Sequence, residues 1–263
     1  MNRSDALLVV AVGCLGSFVA VQLTHVPARA SLASSAHAAK PAPPRLNIDS
    51  VLSSSPDVSE TLSTNGTETA QRDPLVIRAR IAAASGTYMP DMFEDLKHQL
   101  VRWPDRRDGG LRVWVQTFTS VPDFDLRYAQ MARDAVADWS GDGFPLRFDF
   151  VLDSASADIR IMWLDRFPPD AGRRVGTTKR RNDRNGWLSQ AEISVAIHDS
   201  AGATIRPVDL AGIVRHEAGH ALGLGHSRDP RTKMFPVETV NDITPTDRAT
   251  LRLLYQLPPG ALP

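Results

Sequence analysis

Residues 216–226 read HEAGHALGLGH, and they constrain the fold more than any other stretch of the chain. Positions four apart on an α-helix stand over one another on one face, so His216 and His220 can grip a single ion with Glu217 beside it. A third ligand, His226, lies six residues beyond His220 and out of reach along the same straight helix. The chain must therefore turn back, and Gly223 can adopt the left-handed conformation that ends a helix. Any acceptable fold must supply a supported helix, a tight turn and a returning segment. Three neutral imidazoles leave a zinc ion one open position for water, so the expected chemistry is metal-assisted hydrolysis with Glu217 as general base. A bare HExxH would be weaker, because paired histidines on a helix are commonly a surface or core feature. Here every fixed position of HExxHxxGxxH is filled, by three of the chain's seven histidines.

The chain has 263 residues and no formal net charge, which fits one medium domain with extensions and implies no nucleic-acid partner. The basic run Lys179, Arg180, Arg181 is followed by Asp183 and reads as a solvated loop. Residues 1–30 read as a signal peptide or an N-terminal membrane anchor. Ala6 to Leu23 are uncharged and mostly apolar, about 27 Å long if helical, and small-residue cleavage patterns follow at Ala28-Arg29-Ala30 and Ala36-His37-Ala38. Either fate exports the body, as a secreted, periplasmic or anchored protein that meets membrane only through this segment. The single cysteine, Cys14, lies inside the apolar run, so the body has no internal disulfide. Residues 31–73 are an Ala-, Ser-, Thr- and Pro-rich linker. Residues 74–108, with Tyr88, Met89, Phe93 and Trp103, form either an added structural layer or a short inhibitory pro-segment in which Asp91 or Asp95 blocks the metal. The catalytic domain spans 109–263.

Within that domain, alternation predicts strands at Leu111–Phe118, Leu146–Leu152, Ala157–Leu164 and Ala191–His198. Helical spacing predicts helices at Asp125–Trp139, at Val208–Leu224 after Pro207, and after Thr244-Pro245 until Pro258. The polar stretch from Phe167 to Gly186 reads mainly as loop, with a short edge strand at Arg174–Thr178. The expectation is an α+β domain, with a twisted mixed sheet of about five strands and three main helices.

These pieces together resemble the matrixin branch of the metzincin zinc peptidases. Ser227 follows the third histidine, and Met234 lies eight residues beyond His226 in the run MFP, where a matrixin carries the methionine turn beneath its zinc. Asp138-Trp139, Pro145 to Phe148, Ala157 to Ile161 and Leu253 to Tyr255 follow the matrixin order. The resemblance implies an endopeptidase acting as a monomer, with one catalytic zinc on His216, His220 and His226, and a peptide or protein substrate extended along an edge strand. Departures are specific. No cysteine outside the leader is available to hold the zinc in a latent form, and His198 is the only histidine between Arg147 and Arg215, too few for a second zinc site. Asp158, Asp165, Asp170, Asp183 and Asp199 lie in or near loops, but no fixed spacing of oxygen ligands selects a calcium site. Two competing readings are a zinc-stabilised exported binding protein and a metal-dependent hydrolase acting on bonds other than peptides.

Overall fold

The computed structural model describes residues 19–23, 73–105, 109–141, 144 and 146–261. Most of the expected leader and linker, with Cys14 and both small-residue cleavage patterns, lies outside them. Among the described residues no helix is long and apolar enough to cross a membrane.

The sheet is built on β3 (Leu111–Val115), where Leu111, Val113 and Val115 point into the core and Arg112 points out. Parallel to it run β4 (Phe148–Phe150) on one side and β5 (Ile159–Leu164) on the other, with β7 (Leu188–Ala196) beyond β5. Next comes β6 (Arg174–Asn182), antiparallel to β7. Short pieces complete the edge: β1 (Val19–Leu23) pairs antiparallel with β6 and parallel with β8 (Val237–Glu238), giving the order β4-β3-β5-β7-β6-β1-β8. The five longer-range strands and the mixed α+β character agree with the expected fold. A separate pair joins β2 (Gln99–Leu100) to β9 (Gly260–Ala261).

Five helices pack around this sheet. The crossover helix α3 (Arg127–Ala137) buries Ala129, Ala132, Ala135 and Val136, a face small enough for close approach to α4 (Pro207–Ala221). Trp139, just beyond α3, fixes that approach by donating its indole N–H to the carbonyl of Arg215 at 2.9 Å. The last helix, α5 (Pro245–Gln256), starts at a reciprocal cap between Thr244 and Asp247. Residues 73–105 add α1 (Pro74–Ala83) and α2 (Met89–Asp95), whose Ile77, Ile81, Met89, Met92 and Phe93 join the common core.

One segment differs from the sequence expectation. Residues 174–182 form a nine-residue strand where mostly loop was expected. Every residue from Val175 to Thr178 is buried, with α4 packed on one face and β7 hydrogen-bonded alongside, so the period-two signal of a half-buried strand is missing. The run Lys179 to Arg181 accordingly belongs to a strand and is no solvated loop.

Candidate active site

Helix α4 carries Leu210, Ile213, Val214, Ala218 and Ala221 into the core, and the same burial takes His216, Glu217 and His220 out of solvent entirely. One helical turn places the Nε2 atoms of His216 and His220 3.0 Å apart. The helix ends where Gly223 takes φ +109°, and a Cβ at that position would run into the carbonyl oxygen of Val101. The returning chain brings His226 to ring-centroid distances of 4.9 Å from His220 and 5.6 Å from His216. Ligand atoms of all three histidines lie within 4.8 Å of one another.

The reverse side of each ring is also organised. The carbonyl of Lys233 lies 2.8 Å from Nδ1 of His216, and that of Leu224 lies 2.9 Å from Nδ1 of His220. A carbonyl only accepts, so each Nδ1 holds the proton and each Nε2 presents a lone pair inward. Burial first, and then the neighbouring imidazoles, hold both rings well below the usual histidine pKa and keep them neutral. Nε2 of His226 is buried with no partner. Three converging imidazole nitrogens, one of them orphaned, fit a zinc ion of the kind the sequence implies.

Glu217 sits beside this group. The Thr178 hydroxyl lies 2.6 Å from its Oε2, while Oε1 is buried with no partner. Burial pushes the carboxyl pKa up to about 8 against the opposing pull of that hydroxyl. Strand β6 reaches the glutamate only because residue 176 is glycine: an added Cβ would lie 2.6 Å from Oε1. Arg180 on the same strand donates to the carbonyl of His220 at 3.1 Å, and burial draws its guanidinium pKa down to about 10.

Met234 is fully buried, its thioether against Gly219 of α4. Its loop is held at both ends, by Ser227 N–H to the Met234 carbonyl at 2.9 Å and by the Asp247 carboxylate, which accepts from Lys233 N–H at 2.9 Å and Met234 N–H at 3.3 Å. The Lys233 side chain is fully buried and pairs with Glu238. The sequence expectation named the histidines, Glu217, Gly223 and Met234, which the structure brings together, and did not name Thr178, Lys233 and Asp247 or place Arg180 at this site. Only the Thr244/Asp247 capping spacing carried a readable signal.

Asp91 and Asp95 do not join the metal-facing group. Asp91 accepts from Arg228 N–H at 3.2 Å, and Asp95 accepts from His226 N–H at 2.9 Å on the Nδ1 side of that ring. His198 lies elsewhere, between Asp165 at 2.7 Å and Asp123 at 2.8 Å, one on each ring nitrogen. Two carboxylates raise its pKa, the bond to Asp123 most, with burial opposing.

A sequence model of the family described as Matrixin matches residues 115–256, more than half of the chain. The chain belongs to the matrixin family. This matrixin is 34% identical over 112 residues to Metalloendoproteinase 1-MMP of Arabidopsis thaliana, covering 40% of this chain and 30% of that protein. It is 35% identical over 135 residues to Matrix metalloproteinase-19 of Homo sapiens, covering 47% of this chain and 25% of that protein. The matched part of this matrixin thus corresponds to about a quarter to a third of the length of these curated relatives.

Proposed function

We propose that this chain is an exported zinc-dependent endopeptidase, with His216, His220 and His226 as ligands and Glu217 as general base. The observation that carries the reading is the junction of three inward-facing imidazoles with a buried carboxylate whose Oε1 has no partner. When bound, zinc supplies Lewis acidity toward water and toward a peptide carbonyl. Glu217 takes a proton from the attacking water as the new C–O bond forms, then delivers it to the amide nitrogen as the C–N bond breaks. Thr178 holds Oε2, which leaves Oε1 free for that transfer. Among the described residues no serine side chain is paired with a histidine ring for an acyl-enzyme route.

The edge strand supports a peptide substrate over other hydrolysable bonds. Val19 to Gln22 pair with Thr178 to Arg174 in antiparallel register, and Gln22 and Leu23 pair in parallel with Val237 and Glu238. The groove between β6 and β8 thus accepts an extended backbone, adding a strand to the sheet. Export rests on the apolar run Ala6–Leu23 and the cleavage patterns after it.

The test uses the full chain with zinc content measured for parent and Glu217→Ala. We expect one zinc per chain in both, with cleavage of an unfolded protein or peptide library falling about 100- to 10,000-fold in the variant. Equal cleavage by zinc-loaded parent and variant would overturn the proposal and favour a binding protein.

A further inference from the structure

The first two zinc ligands have backbone carbonyls on their Nδ1 sides, whereas the third has a carboxylate from a different part of the chain. Asp95 ends α2, outside the stretch that matches the matrixin family, and is 131 positions away from His226 in sequence. Its Oδ2 accepts the backbone N–H of His226 at 2.9 Å and lies 3.6 Å from Nδ1 of the same ring. One oxygen therefore fixes the backbone of the ligand and faces the reverse of its imidazole.

The layer that brings Asp95 there is tightly bound to the metal-binding hairpin. Trp103 is fully buried and donates its indole N–H to the carbonyl of Ala221, the last residue of α4, at 2.9 Å. Arg102 donates to the carbonyl of Leu257 at 3.0 Å, and Tyr88 N–H donates to Thr250 on α5 at 3.1 Å. Glu94 and Asp91 flank Asp95 on α2 and engage Arg228, two residues beyond His226. The layer is thus held to the hairpin on both sides of the third ligand, by Trp103 at Ala221 and by α2 at Arg228.

We infer that Asp95 is a positioning residue for the zinc site, holding His226 so that Nε2 turns toward His216 and His220, and that residues 73–105 are a permanent part of the metal-binding unit. A carboxylate beside Nδ1 favours the tautomer with the proton on that nitrogen, which leaves Nε2 as the ligand atom and raises its basicity. A removable blocking segment would place its carboxylate against Nε2. This inference rests on the zinc reading of the three histidines.

Zinc affinity measured by competition with a chromophoric chelator, on the full chain, tests it. We expect Asp95→Ala to bind zinc about 10- to 100-fold more weakly than the parent. Asp95→Asn keeps an acceptor for the His226 N–H but loses the charge facing Nδ1, and its affinity falls between the two. Val113→Ala, which opens a cavity in the sheet on β3 outside this layer, lowers the melting temperature of the chelator-stripped protein while leaving zinc affinity unchanged. The absorption spectrum of the cobalt-substituted protein shifts in Asp95→Ala and stays fixed in Val113→Ala. If the parent holds zinc and Asp95→Ala binds it equally well, or if Val113→Ala weakens zinc as much as Asp95→Ala, the inference is overturned. A parent that holds no zinc would sink the underlying reading instead.

Discussion

Gly176 is the point at which strand β6 and the Glu217 carboxyl group compete for the same space. An alanine methyl there would lie 2.6 Å from Oε1 of Glu217, 3.0 Å from its Cγ and 2.8 Å from Cγ2 of Ile213. Nonbonded carbons settle at about 3.5 to 4.0 Å, so the neighbours must yield by roughly 1 Å. Overpacking of this kind costs about 1 to 3 kcal/mol. A displacement of about 1 Å at a reacting group costs on the order of 100-fold in rate, so Gly176→Ala should lose turnover to about that extent while keeping its zinc, since no ligand is touched. The cause can be isolated by a double-mutant cycle in urea with zinc at fixed concentration. Glu217→Ala removes two of the three crowding atoms, so Gly176→Ala should cost about 1 kcal/mol less in that background than in the parent. If the two penalties add to within about 0.5 kcal/mol, or if Gly176→Ala retains full turnover, the strand moves freely and the steric argument fails.

Two further substitutions read the groups around the site. Lys233→Met leaves the buried Glu238 carboxylate without its cation and should cost about 3 to 5 kcal/mol in urea denaturation, most of it recovered when Glu238→Gln is added. A negligible loss in the single variant would show that the pair is solvated in solution. His198 has a raised folded-state pKa, so its stabilising contribution is full below the ordinary histidine value near about 6.5 and disappears as pH climbs through the raised value. The stability difference between parent and His198→Gln should therefore shrink with rising pH across that window, and a difference independent of pH would rule the clamp out.

The metal motif was legible because its geometry is local. His216 and His220 are related by helical periodicity, and Gly223 and Met234 by fixed offsets within one hairpin and its loop. Strand β6 was read largely as loop for the opposite reason. Thr177 and Thr178 are buried only because α4 covers one face and β7 continues the sheet beside them, a long-range cause with no periodic trace. The expected strand at Leu146–Leu152 contracts to Phe148–Phe150, with Phe150 and Leu152 exposed, because β4 lies at the sheet edge. Asp95 shows the same limit: nothing in residues 89–95 specifies that their last carboxylate meets a histidine 131 positions away. The sequence could pose structural layer against pro-segment, and only the contacts of Trp103, Arg102 and Asp95 bear on the choice.

Strand β1 gives the edge of the sheet a competitor from the same chain. Its backbone fills the β6 edge from Arg174 to Thr178, the segment proposed to receive substrate. About 50 residues of Ala-, Ser- and Pro-rich sequence separate Leu23 from Asp73. Were those residues the flexible linker their composition suggests, their length would give an effective concentration on the order of millimolar, comparable to weak peptide KM values of about 1 mM. The expected occupancy by β1 is then partial, excluding substrate without altering the chemistry. A chain beginning at Asp73 retains every described buried apolar side chain, from Ile77 to Leu257, and so keeps its core. That truncated chain should show a KM about twofold lower than the full chain, with kcat unchanged, as expected when a tethered competitor near its own dissociation constant is removed. Mass spectrometry must first establish that the full chain still carries its N-terminus during the assay. Equal KM values for the two intact chains would show that the pairing of β1 with β6 exerts no hold on the cleft in solution, and a change confined to kcat would place its effect on Glu217 or the ligands instead of on substrate access.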